Sequence, residues 1–313
     1  MNRLLTKNGL LQLKTDWNLS DSYLFIQKTA NYVFEGKIGD QSVIIKLTPP
    51  SRRSYDSIMG ELAFIEHLLN YDLPIAKPYR SINNKFCEKI EGRDDTYTVT
   101  VFEKVKGWHP KAEDYSVKLV QLFGKTLARM HLATKEFSIK EEEGQRLNWE
   151  EQIFIILKRY RSLELDPGPI DHLEKLGKKF KQLPRENYGL IHADLHPENI
   201  FILDKKPTIK IFDFDSTCYH WFLFDIATTL FHTREYFDRL GKKVEPKSLR
   251  ENLLKGYQTL IPLTKKEIGQ IDNFIELRAY IIYCWTTCQL ESHTGKGSEI
   301  LLSWNAWAKR FFK

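Results

Sequence analysis

The sequence predicts an α+β protein of two lobes. The N-terminal lobe is small, a five-stranded antiparallel sheet with one main helix. The C-terminal lobe is larger and mostly helical. Three observations carry this prediction. Short runs rich in Val, Ile, Tyr and Phe recur up to about residue 103, with turn residues between them. One segment among those runs repeats its apolar residues at helical spacing instead. Beyond Gly107 and Pro110 helical periodicity dominates, broken only by three short apolar runs.

The elements follow in order. The first stretch, to about residue 20, reads as a short amphipathic helix ending near Trp17. Tyr23–Ile26, Tyr32–Gly36 and Ser42–Leu47 read as strands, the last two joined as a hairpin through Gly39-Asp40. Pro49-Pro50 stops strand structure. Ile58, Leu62, Ile65 and Leu69 recur at spacings of four, three and four, so residues from about 54 to 70 form a helix with one apolar face. Strands near 85–90 and 96–103 complete the order β-β-β-α-β-β. Val105-Lys106-Gly107 is the expected hinge, dividing residues 1–105 from 106–313. Helices are then expected at about 114–134, 149–164, 170–182, 221–236, 247–260, 265–291 and 298–312. Between them Leu190-Ile191, Ile200–Leu203 and Ile209–Phe212 read as short strands.

Composition narrows the function classes. A chain of 313 residues with 42% hydrophobic and 13% aromatic content can bury a real core in two lobes. No apolar run approaches the roughly 18–20 residues that span a bilayer. The N-terminus lacks the pattern of a signal peptide, so no membrane association and a cytoplasmic location are expected. The net charge of +6 is dispersed: 14 Lys+Arg face 13 Asp+Glu up to residue 105, and 33 face 28 beyond it. Nucleic acid is therefore not an expected partner. Cys87, Cys218, Cys284 and Cys288 lack a usual zinc spacing and read as buried thiols.

The chemistry concentrates in His192-Ala193-Asp194-Leu195-His196-Pro197-Glu198-Asn199 and in Asp213-Phe214-Asp215. An amide stands five residues after the first carboxylate, and a second carboxylate nineteen residues after it. Protein kinases space their catalytic-loop Asp and Asn in this way, with an Asp-Phe-Gly triplet following. Asp194 is the candidate base that orients an attacking hydroxyl and accepts its proton. Asn199 and Asp213 are candidate Mg²⁺ ligands, since that hard ion takes oxygen donors and phosphate. Asp215 either approaches a metal or stands in place of the usual Gly. The four-residue spacing of His192 and His196 invites a zinc reading, but Pro197 breaks any shared helix. His192 reads as a structural loop residue, and His196 as one that fixes the loop.

Lys46 ends the apolar strand Val43-Ile44-Ile45 and reads as the phosphate-binding lysine, with Glu61 in the following helix as its partner. No Gly-x-Gly-x-x-Gly or Walker pattern is present. Lys28-Thr29-Ala30-Asn31-Tyr32-Val33-Phe34 occupies the hairpin position instead, where Asn31 or backbone N–H groups can meet phosphate. At the end of the lobe, the backbone of Glu103 and Val105 is the candidate adenine contact.

Together these residues resemble the aminoglycoside phosphotransferase/choline kinase family, the small-molecule relatives of protein kinases. The resemblance covers nearly the whole chain. It rests on the 192–199 and 213–215 strings, Phe224-Asp225-Ile226-Ala227, Asn31-x-Val33-Phe34, Lys46, and Leu127-Ala128-Arg129-Met130-His131. It implies a bilobal protein-kinase-like fold and transfer of the ATP γ-phosphate, with Mg²⁺, to a hydroxyl of a small molecule. Amino alcohols, sugars, homoserine-like and aminoglycoside-like compounds are the acceptors in view. Residues 1–105 become the nucleotide-binding lobe and 106–313 the catalytic and acceptor-binding lobe. The resemblance also implies that Asp225 braces the catalytic loop from the next helix. Two other readings stand beside it, a protein Ser/Thr kinase and a catalytically idle kinase fold such as a spore-coat-associated protein. No Ala-Pro-Glu segment follows Asp213, which disfavours the first.

Overall fold

The computed structural model describes residues 1–28, 31–203, 208–291 and 298–312. The chain divides into two units. The first comprises Met1–Gly107, Phe137–Arg146 and Ile209–Asp215; the second comprises Trp108–Glu136, Leu147–Thr208 and Ser216–Lys313. Two later segments thus pack with the first unit. No described helix is long and apolar enough to cross a membrane.

The first unit is built on one antiparallel sheet. Its strands are β1 (Leu24–Lys28), β2 (Tyr32–Ile38), β3 (Gln41–Thr48), β4 (Cys87–Glu91) and β5 (Thr96–Glu103), in spatial order β1-β2-β3-β5-β4. Gly39, with φ of 56°, supplies the left-handed turn between β2 and β3. Period-two alternation on β3 buries Val43, Ile45 and Leu47 fully and turns Ile44 and Lys46 to the other face. Burying three such side chains stabilises the unit by roughly 1.5–3 kcal/mol each.

Those residues join a core with Leu13 and Trp17 of α1 (Lys7–Trp17). Thr6 caps that helix by accepting the Gly9 N–H. The helix α2 (Tyr55–Asn70) starts at Ser54, whose hydroxyl accepts the Ser57 N–H, and packs Ile58 and Leu62 with Cys87. The short strand β8 (Ile209–Ile211) belongs to this unit through a parallel bridge from Ile211 to Ile75.

The second unit is helical. Its elements are α3 (Val117–Thr134), α4 (Trp149–Arg161), α5 (Gly168–Phe180), β6 (Tyr188–Ile191), β7 (Ile200–Ile202), β9 (Cys218–Trp221), α6 (Phe222–Arg239), α7 (Pro246–Tyr257), α8 (Lys265–Leu290) and α9 (Ser298–Lys309). The sequence reading lacked β9, which pairs antiparallel with β6 from Tyr188↔Trp221 to Ile191↔Cys218. Helix α6 is buried on nearly every side, so its Asp225, His232 and Glu235 sit in the interior. Helices α3 and α7 cross at glycines. A Cβ on Gly124 would lie 1.9 Å from the Leu253 carbonyl oxygen, and one on Gly256 would lie 1.9 Å from that of Gln121. The four cysteines are reduced and buried. Of the aromatic residues on the C-terminal helices, Tyr280 and Trp307 belong to the core.

Candidate active site

The first unit gathers its candidate residues around Lys46. The register pairs Lys46 with Val33 on one side and Thr100 on the other, which sets its side chain on the face opposite Val43 and Ile45. Its ammonium makes a short ion pair with Asp215, stands 3.4 Å from Asp213 Oδ1 and lies 4.0 Å from Glu61 Oε1. Asp215 is therefore its nearest partner, and Glu61 is beyond hydrogen-bond reach. Asp215 also accepts from Asn31 Nδ2 at 2.8 Å and faces Arg53 Nη2 at 3.7 Å. Arg53 Nη1 reaches Glu61 Oε2 at 3.4 Å. Arg146 donates to the Asp215 carbonyl at 2.7 Å and to that of Ser57 at 2.9 Å, fixing the segment after Asp213.

The charges sort these groups. Burial alone would raise Asp215, but Lys46 and Arg53 hold its carboxyl far below the usual range. Burial opposes the Lys46 charge, yet Asp215, Glu61 and Asp213 keep its pKa above the ordinary value. Glu61 goes the other way: burial pushes it up to about 7 against the pull of Lys46 and Arg53. Asp213 has φ of 63° and a side chain that is 48% exposed. Asn31 is buried, and its Oδ1 has no hydrogen-bond partner among the described residues. Thr29 and Ala30 of the β1–β2 loop lie outside the described residues. At the end of β5 the Glu103 N–H donates to the Lys77 carbonyl at 2.9 Å. The Glu103 carboxylate accepts from Lys77 N–H and pairs with Lys210.

The second unit holds the loop between β6 and β7. Ala193 adopts φ of 61°, a left-handed conformation costly for a residue with a Cβ. Buried Asp225 on α6 offsets that cost. Its carboxylate accepts the N–H groups of His192 at 3.1 Å and Ala193 at 2.7 Å. His131 of α3 reaches the same carboxylate through Nε2 at 3.1 Å, and its Nδ1 lies 2.8 Å from the Tyr257 hydroxyl. The network assigns the proton to Nε2, with Tyr257 donating to Nδ1. His192 is fully buried, and its Nδ1 accepts the Asp194 N–H at 3.2 Å.

Asp194 leaves this braced loop and meets Arg278 of α8, whose Nη2 donates to Oδ1 at 2.5 Å. Asn199 Nδ2 donates to the Asp194 carbonyl at 2.9 Å and stands 3.4 Å from Oδ2. His196 Nε2 is 3.1 Å from Asn199 Nδ2 and 3.6 Å from Asp194 Oδ2. Burial would raise the Asp194 carboxyl, but His196 and Arg278 hold it well below the usual range. Burial lowers His196, and the Asp194 charge more than reverses this. Arg278 Nε in turn donates to His232 Nε2 at 3.0 Å, which requires that nitrogen to be unprotonated. Burial, with the Arg278 charge adding, keeps His232 well below its ordinary value.

Arg53, Arg146, His131, His232 and Arg278 escaped the sequence reading as site residues. Arg278 left one signal, a lone cation within the segment Phe274–Ile282, whose other residues are apolar or aromatic except Glu276. Such a residue needs a buried partner.

A metal would find oxygen donors here. Among the described residues no group of three or more His, Cys, Asp or Glu side chains is gathered for one. Asp213 offers a carboxylate oxygen in the first unit and Asn199 an amide oxygen in the second, and both are donor types that Mg²⁺ accepts.

A five-stranded antiparallel sheet with a lysine on its third strand, followed by a helical unit with a braced aspartate loop, is the plan of the kinase-type phosphotransferases. These enzymes move phosphate to an alcohol group. Within that class the chain belongs to the phosphotransferase enzyme family, whose model matches residues 25–263. It is 31% identical over 270 residues to an amicoumacin kinase of Bacillus subtilis (strain 168), covering 84% of this chain and 79% of that protein. It is 28% identical over 241 residues to a homoserine kinase of Rhizobium rhizogenes (strain K84 / ATCC BAA-868), covering 72% and 69%. Among solved structures it resembles the amicoumacin kinase hAmiN in complex with AMP-PNP, Ca²⁺ and Ami. The TM-score is 0.77 at 26% identity, covering 96% of this chain and 91% of that one. The relatives are small-molecule kinases, and this chain is a phosphotransferase acting on a small-molecule hydroxyl.

Proposed function

We propose that the protein transfers the γ-phosphate of ATP to a hydroxyl of a small metabolite or antibiotic, with Asp194 as the base. The observation that carries this reading is the Asp194 carboxylate itself. It is kept ionised on a loop whose backbone Asp225 pins by two N–H groups. Phosphoryl transfer passes through a loose transition state, so a weak base that positions the hydroxyl is sufficient. Lys46 takes the α- and β-phosphates, and Glu61 and Asp215 share its charge otherwise. Asn31 contacts phosphate, and the backbone of Glu103 and Val105 takes the adenine. Asn199 and Asp213 hold Mg²⁺, which supplies neutralising charge to the phosphates. His192, His196 and Asp225 keep the loop in place.

Amicoumacin and homoserine are the first acceptors to try, because the relatives described above are named for them. Amino alcohols, sugars and aminoglycosides complete the panel. The test measures phosphate transfer from MgATP to each compound, with Asp194→Asn as the control. Acceptor-dependent ADP release that drops by roughly 10³-fold in Asp194→Asn is the expected result. Turnover equal in the two proteins sinks the role given to Asp194.

A further inference from the structure

We propose that Arg278, oriented by His232, is a positioning residue that holds the Asp194 carboxylate in place for the acceptor hydroxyl. The proposal rests on the assignment of Asp194 as the base. Asp194 Oδ1 receives Arg278 Nη2 at 2.5 Å, whereas among the described residues Oδ2 has Asn199 Nδ2 at 3.4 Å and His196 Nε2 at 3.6 Å. One oxygen is thus tied and the other is left for a substrate proton. The tie is stiff at its far end as well. Arg278 Nε donates to His232 Nε2 at 3.0 Å, so the planar guanidinium is held at two of its edges. Both residues are buried, Arg278 at 8% exposure and His232 at 3%. A cation in that position has a desolvation cost that only a close carboxylate offsets.

Beside these contacts the Arg278 guanidinium lies 6.0 Å from the centroid of the Phe224 ring, at the outer limit of a cation–π contact and too far to account for a buried arginine. The neighbouring positions Leu277 and Ala279 are fully buried apolar residues. An arginine serving only to stabilise the helix packing would be replaceable without specific loss of chemistry. An arginine acting through Asp194 would not. It keeps the carboxylate in one rotamer, and a misplacement of about 1 Å at a reacting group costs on the order of 10²-fold in rate.

The test is a double-variant cycle on the intact protein. Turnover of MgATP is followed for the wild type, Arg278→Ala, Arg278→Lys, Asp194→Asn and the two double variants. Amicoumacin serves as acceptor and, in parallel, water. ATP binding by calorimetry counts the folded, nucleotide-competent fraction. Arg278→Ala is expected to lower kcat per competent site by roughly 10- to 100-fold while KM for ATP stays within about twofold. Arg278→Lys retains more activity than Arg278→Ala, and added guanidinium ion restores part of the latter's rate. Each double variant is no slower than Asp194→Asn alone, because the arginine has nothing left to position.

Losses that multiply in the double variants overturn the proposal. So does a rate loss in Arg278→Ala that matches its lost ATP-binding fraction without guanidinium rescue. Where Arg278→Ala does not fold, the Arg278→Lys cycle decides by the same rule. Full activity in Arg278→Ala with an inactive Asp194→Asn refutes only the positioning role. Full activity in Asp194→Asn refutes the base assignment beneath it.

Discussion

Replacing Asp225 by Asn should cost both stability and rate, and the amount follows from its three partners. The carboxylate accepts the Ala193 N–H at 2.7 Å, the His192 N–H at 3.1 Å and His131 Nε2 at 3.1 Å. An amide keeps one oxygen and turns an NH₂ toward the remaining donors. At least one buried donor loses its partner, and each such loss costs about 1–3 kcal/mol. The left-handed Ala193, worth about 1–2 kcal/mol of strain, then also lacks its brace. A total of about 2–5 kcal/mol is expected, a fall in Tm of roughly 5–15 °C for units of this size. Scanning calorimetry measures it, with Asp171→Asn on the exposed face of α5 as a control that should move by under about 0.5 kcal/mol. Well below its Tm, the folded Asp225→Asn protein should still turn over roughly 100-fold more slowly, because the Asp194 loop is no longer pinned. An Asp225→Asn melt that coincides with the Asp171→Asn melt would falsify this account of the loop.

Three further outcomes follow from the same geometry. Lys46→Met should raise KM for ATP and lower kcat by roughly 10²-fold, the size expected for one lost charge-stabilising group; unchanged ATP binding by calorimetry would remove Lys46 from the phosphate site. His220→Phe should alter the pH dependence of stability. Burial, with Arg278 adding, holds His220 well below 6.5, so the unfolded chain takes up a proton as pH falls below that value and the folded state does not. Phe preserves the 3.9 Å stack on Phe224 without that proton. The stability difference between wild type and variant in urea should therefore shift toward the variant by about 1.6 kcal/mol from pH 6.5 to 5.0, and a difference independent of pH contradicts it. Gly124→Ala should destabilise by about 3 kcal/mol, the upper end of overpacking, since its Cβ would meet the Leu253 carbonyl oxygen at 1.9 Å. A cost below 1 kcal/mol in denaturant unfolding would mean that α3 and α7 can separate cheaply.

Elements with a strong period were legible in the sequence, and those set by tertiary pairing were not. The runs that became β2, β3 and β5 alternate around Val, Ile and Tyr, and α2 carries one apolar face, so local chemistry decides each. Strand β9 is Cys-Tyr-His-Trp, four residues running straight into α6, and only its pairing with β6 makes it a strand. The same division holds at the site. Asp194, Asn199 and Asp213 stand out because their spacing is short and chemically unusual. Their supports come from far along the chain: Arg278 is 84 residues from Asp194, and His131 is 94 residues from Asp225. No window on the sequence joins such pairs.

The carboxylates around Lys46 show why an offset names neighbours without ranking them. The fifteen-residue step from Lys46 to Glu61 does place them in one cluster, 4.0 Å apart. Asp215, where the kinase triplet has Gly, adds a second acid and takes the closer position, supported by Asn31 and Arg53. Two buried acids then compete for the same cations, and the interior cannot hold both charges equally well. The better-supported one stays ionised, and the other rises toward neutrality. Glu61 is the one that yields, pushed up to about 7 by its burial. The third acid, Asp213, is half exposed and bears less of that burial cost, although it too faces Lys46 at 3.4 Å. Burial and the count of nearby cations, neither visible in the spacing, thus give three acids of one cluster three different surroundings.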